Sequence, residues 1–130
     1  MSSESLITYH FAILRLVPHV HRGEFVNVGV VLHARTAEFL AIRAITDPKV
    51  LADLAPKVDT DLLLSYLDGY RGICAGDASA GPIALAPPSE RFHWLSAPRS
   101  DLLQSSPVHE GLCIDPEHTI EELFEEFVAS

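Results

Sequence analysis

An α+β fold built on an antiparallel sheet is predicted by three features of the chain. Val- and Ile-rich runs near its start are separated by connections too short for crossovers. Two Asp-Pro pairs announce helices, and an apolar stripe backed by glutamates marks the end. The sheet is expected to begin as a three-strand meander and to gain a later strand, with helices packed on one face and an amphipathic C-terminal helix. The 130 residues, 48% of them hydrophobic, read as a single domain over 1–130. A chain of this length buries roughly two thirds of its unfolded surface, so it needs neither disulfide nor metal to hold a core.

The first predicted strand, Ile7 to Val17, is rich in β-branched and aromatic residues and ends at Pro18, which cannot continue a paired strand. Phe25 to His33 forms the second. Val26, Val28, Val30 and Leu32 share one parity and form its core face, whereas Phe25, Asn27, Gly29, Val31 and His33 share the other, a mixed face. Gly29 beside Asn27 leaves either a shallow pocket or room for close packing. Ala37 to Ala44 supplies the third strand across a connection short enough to demand an antiparallel hairpin.

Asp47-Pro48 is an N-cap followed by a proline at the first helical position, and the helix it opens stops near Pro56. A second helix from Asp59 or Thr60 buries Leu62, Leu63, Tyr66, Leu67 and Tyr70 and stops at Gly72. The Ala-, Gly-, Ser- and Pro-rich stretch from Gly76 to Pro88 reads as a surface loop with a short strand near Ile83 to Leu85. Ser89 to Leu95 suits a helical turn or a strand equally. Ser100 to Ser105 is strand-like, and Pro107 to Leu112 reads as a loop or turn. Asp115-Pro116 opens the last helix, whose stripe is Ile120, Leu123, Phe124, Phe127 and Val128.

The net charge of −9 disfavours DNA and RNA backbones as partners. Seven of the nine basic residues are Arg, and Arg15, Arg22 and Arg99 fall in the densest motif segments, while the C-terminal segment carries Asp115, Glu117, Glu121, Glu122, Glu125 and Glu126 with no Lys or Arg. Cys74 and Cys113 are far apart and outside any Cys-x-x-Cys spacing, as expected for free thiols of a cytoplasmic protein. The start Met-Ser-Ser-Glu-Ser has no positive region leading an apolar one, which argues against export, and no apolar run reaches membrane-spanning length.

Polar residues concentrate between Arg15 and Asn27. A loop over Pro18 to Glu24 sets Val17 opposite Phe25, Arg15 opposite Asn27 and Ile13 opposite Gly29. Opposed residues project to the same face, so Arg15 and Asn27 share a wall, with Arg22 and Glu24 above it. The guanidinium fork and the amide suit a carboxylate or phosphate. The competing reading is an internal salt bridge from Arg15 or Arg22 to Glu24. His19 and His21 lack the further ligands a metal site needs and read as loop histidines, so no metal or cofactor is expected. Ser100 with His109 is a possible nucleophile pair, but the Gly-x-Ser-x-Gly elbow is missing. Phe92, Trp94 and Leu95 suit a core or groove wall better than a stacking platform for bases.

The string Arg22-Gly-Glu-Phe-x-Asn-x-Gly-Val30, preceded by Arg15-x-x-Pro18, resembles a bacterial family catalogued as domain of unknown function 3037. The later segments Arg91-Phe-His-Trp-Leu95, Pro98-Arg99-Ser100, Ser106-Pro-Val-His109 and Gly111-Leu112 are similar to its second block. The resemblance implies importance for Arg15, Arg22, Gly23, Glu24, Asn27, Gly29, Arg99, Ser100, His109 and Gly111, and no established activity. Where that family often carries Thr, this chain has Asp101 and Glu110, acid that works against an anion nearby. The resemblance also implies a genetic association with kinases similar to the toxin kinase of persistence modules.

Together these readings predict a small cytoplasmic accessory or binding module acting through Arg15, Arg22, Glu24 and Asn27 with Arg99, Ser100 and His109. The alternative is a phosphoester- or nucleotide-directed hydrolase, with Arg15, Arg22 and Arg99 on phosphate and Glu24 or His109 as general base. In either case the two motif blocks should converge.

Overall fold

The computed structural model describes residues 5–18, 23–99 and 101–129. Its centre is β1 (Ile7–Leu16), flanked by β2 (Val26–Ala34), which is flanked in turn by β3 (Phe39–Ala44), all antiparallel. This is the meander expected. The other side of β1 is paired by β4 (Leu103–Ser105) and β5 (His109–Cys113). These two short strands lie along different halves of β1 and act as one edge strand interrupted at 106–108. Ser106 spans the interruption. Its backbone N–H donates to the Ile13 carbonyl at 2.8 Å, and its Oγ accepts the Ile13 N–H at 2.8 Å, so a side chain replaces one rung of the ladder. The segment 107–112, expected to be a loop, is therefore mostly strand. Pro107 and Gly111 imitate turn chemistry, but the free side of β1 supplies the pairing that decides the matter.

The α+β class, the antiparallel sheet and the C-terminal helix all hold, while the distribution of the helices differs from expectation. Helices α1 (Pro48–Leu54), α2 (Thr60–Ala75) and α3 (Pro88–Ser96) cover one face, where Leu14, Leu16, Val28 and Val31 meet Leu51, Leu63, Leu67, Ile73, Phe92 and Leu95. Helix α4 (Pro116–Phe124), extended by a wider turn over Glu125–Ala129, covers the other. There Phe11, Ile13, Val30 and Leu32 meet Ile120, Leu123 and Phe124. Each such side chain contributes about 1.5–3 kcal/mol when fully buried, so both layers are needed to hold the sheet.

A bulge in β2 explains why its pattern misled. The register runs Leu14 to Gly29 and then Arg15 to Asn27, leaving Val28 as the extra residue. Ile13 consequently faces Val30 rather than Gly29. Val28 joins Val31 on one face, while Val30 and Leu32 lie on the other, so the single core face expected from parity becomes two. Gly29 serves close packing rather than a pocket, since a Cβ there would lie 2.9 Å from Ala44 Cβ.

Asp47, Asp59 and Asp115 cap α1, α2 and α4 through bonds to the Lys49, Leu62 and Glu117 N–H groups. Helix α2 continues past Gly72 because that residue admits the Ala80 side chain, where a Cβ would lie 2.7 Å away. Its end comes at Gly76, whose φ of 74° provides the left-handed cap. The segment expected as a short strand is a 3-10 turn over Pro82–Leu85. Among the described residues, no helix is long and apolar enough to cross a membrane.

Candidate functional site

Of the polar residues expected at the loop end of the first hairpin, Arg15, Glu24 and Asn27 are among the described residues. Arg15 and Asn27 are direct partners across β1 and β2. Both belong to the α4 face, because Arg15 shares parity with Phe11 and Ile13, and the Asn27 Nδ2 donates to the Phe127 carbonyl at 2.9 Å. The Arg15 guanidinium carbon lies 4.1 Å above the centre of the Phe25 ring, and Phe25 is itself half exposed. This cation–π contact holds the fork in place without consuming its hydrogen bonds.

Two atoms of this corner are buried and lack hydrogen-bond partners among the described residues: Nε of Arg15 and Oδ1 of Asn27. Glu24 is exposed, and no ion pair joins it to Arg15. The internal Arg15–Glu24 salt bridge considered from sequence is thus not formed. Arg22, His19, His21 and Ser100 lie outside the described residues.

His109 reaches the same face from β5. It pairs with Phe11, and their ring centroids are 5.3 Å apart; Phe11 in turn lies 6.1 Å from Phe127, whose carbonyl receives Asn27. The link from the second motif block to the first therefore runs His109–Phe11–Phe127–Asn27, through two aromatic side chains that sequence reasoning had not assigned to the site. Their signal was present in part: Phe127 belongs to the apolar stripe of the last helix, and Phe11 lies in the β-branched and aromatic run of β1.

Arg99 does not join this corner. It lies on the opposite face, where its guanidinium donates to the Tyr70 hydroxyl at 2.7 Å, to the Leu95 carbonyl at 3.5 Å and, through a short contact, to the Trp94 carbonyl. The fork stands 4.0 Å above the Trp94 ring, in a hollow of about 170 Å³ lined also by Tyr66, Asp101 and Leu103. Those carbonyls belong to the last turn of α3, so Arg99 closes the C-terminus of that helix as a cation should. Burial pushes the Tyr70 hydroxyl above its ordinary pKa of 10.0 although Arg99 pulls it the other way, which leaves a neutral phenol to accept the bond. The expected convergence thus fails for Arg99, while His109 shares the face of Asn27 and is connected to it only through Phe11 and Phe127. A single phosphate site drawing on Arg15 and Arg99 together is not assembled.

Arg91 repeats this use of arginine. It donates to the Ala86, Ile73 and Cys74 carbonyls at 2.9, 3.1 and 2.8 Å, tying α3 to the end of α2. Burial pushes the adjacent Cys74 thiol up to about 12, which keeps it protonated and unreactive near neutrality.

A family model described as "Protein of unknown function (DUF3037)" matches residues 11–128, and the chain belongs to that family. No curated protein and no solved structure matches the chain significantly.

Proposed function

We propose that the chain is a small cytoplasmic binding module that receives an anionic group at the Arg15–Asn27 corner, beside Glu24 and on the sheet face that His109 shares. One observation carries the reading. Arg15 is held over Phe25 with no carboxylate paired to it among the described residues, beside an amide whose oxygen is unsatisfied. A buried or half-buried guanidinium ordinarily has an anion, and here the protein leaves that position to a ligand. Phe25 and Phe127, both partly exposed, give the ligand apolar walls. The partner we propose is the persistence-type kinase that the family resemblance implies, with this chain as its accessory. Arg99 has no part in this reading, since its hydrogen bonds are spent on the Tyr70 hydroxyl of α2 and the last carbonyls of α3.

Calorimetric titration with inorganic pyrophosphate tests the proposal. Loss of a charge-assisted hydrogen bond costs about 1.5–3 kcal/mol, so Arg15→Gln is expected to weaken binding roughly tenfold to a hundredfold. Asn27→Ala is expected to weaken it as well. Arg43→Gln, at the far edge of the sheet, is expected to leave it unchanged. Absence of binding at millimolar pyrophosphate, or equal affinity in Arg15→Gln, would sink the reading.

A further inference from the structure

We propose that His33 is an acid-sensitive latch that holds α3 against the sheet, and that its protonation releases this helix. The latch lies on the face opposite to Arg15 and Asn27 and stands independently of any ligand there.

His33 is 7% exposed, and its ring stacks on Phe92 of α3 with centroids 5.4 Å apart and planes 30° apart. Its cross-strand neighbours are His10 on β1 and Leu40 on β3. His10 bonds Glu110 at 2.9 Å, so that carboxylate is engaged by the outer imidazole. The groups that act electrostatically on His33 are His10, Arg35 in the turn after β2, and Arg91 on α3. All are cationic or become so in acid, and none offers a counter-charge.

Burial, reinforced by these neighbours, lowers the pKa of His33 below the ordinary 6.5. Its neutral form therefore belongs to the packed state. A proton added there places a positive charge against Phe92 and within the field of Arg91, and three backbone carbonyls hold Arg91 in place. Outward movement of α3, at the expense of the Arg91 bonds to the Ile73 and Cys74 carbonyls of α2, relieves the ring, admitting water and removing Arg91 together with Phe92. Stability from this contact is fully present above pH 6.5 and is lost as pH falls through the folded pKa.

Trp94 is the only tryptophan and sits on α3, which makes it a direct reporter. Its emission and the histidine ring resonances should be followed from about pH 7.5 to about pH 4.5, spanning the ordinary imidazole range, with far-ultraviolet circular dichroism alongside. We expect a red shift of Trp94 that shares its midpoint with the His33 resonance, while helical content persists to lower pH. His33→Phe, which keeps an aromatic ring without the proton site, is expected to abolish the shift, and His10→Gln to retain it. A shift that survives His33→Phe, no shift across the range, or simultaneous loss of the helical signal would overturn the proposal. If His33→Phe does not fold, the wild type decides: different midpoints for Trp94 and His33 overturn it, and a shared midpoint supports it.

Discussion

At Gly29 the environment of one residue decides between two meanings left open by its sequence. A methyl group there would meet Ala44 Cβ at 2.9 Å and the Arg43 carbonyl at 3.1 Å, both fixed by the ladder with β3. Gly29→Ala is expected to cost about 1–3 kcal/mol through overpacking, read as a lower urea midpoint at unchanged slope. The Arg15–Asn27 pairing was legible because loop length and register are local properties of a hairpin. The role of Arg99 was not, since its acceptors end a helix whose sequence was ambiguous with strand. Arg99→Ala is expected to destabilise the fold by about 1–3 kcal/mol, the penalty for leaving polar groups unpaired, while pyrophosphate binding in the folded fraction stays unchanged. Loss of binding with unchanged stability would contradict a structural role for Arg99.

Among the elements, the meander, the capped helices and the final amphipathic helix followed from short-range signals: Asp-Pro starts, turn lengths and apolar periodicity. The elements that escaped depend on tertiary neighbours. Strand β5 is strand because the half of β1 over Ile7 to Phe11 needs a partner on that side. The β2 bulge is invisible in a run of valines, yet it sends Val28 and Val30 to different layers and turns one expected core face into two. Ser106 is the joint of the broken edge strand, 2% exposed and bonded to both backbone groups of Ile13. Ser106→Ala leaves the Ile13 N–H buried without its acceptor. The expected cost is about 1–3 kcal/mol, with faster hydrogen exchange at the Ile13 amide than the loss of global stability explains. Unchanged exchange there would show that the hydroxyl does not carry the rung.

On the scale of the whole molecule, the sheet separates two sets of polar residues that lie in neighbouring motifs of the sequence. Arg15, Asn27 and His109 share the α4 face, while Arg99, Tyr70 and Trp94 belong to the helical layer on the other. The charge of −9 adds a long-range repulsion toward polyanions. Fluorescence anisotropy is therefore expected to detect no binding of a random DNA duplex at physiological salt, and salt-sensitive micromolar binding would reveal a basic face. The division between the two faces is also what makes the binding corner directly testable. Amide and side-chain NMR resonances followed during a titration with inorganic pyrophosphate will report which face responds. We expect saturable shifts at Arg15, Phe25, Asn27 and His109, with Tyr70, Trp94 and Arg99 unmoved. Shifts centred on Arg99 and Trp94, or none on either face, would contradict a binding corner at Arg15 and Asn27.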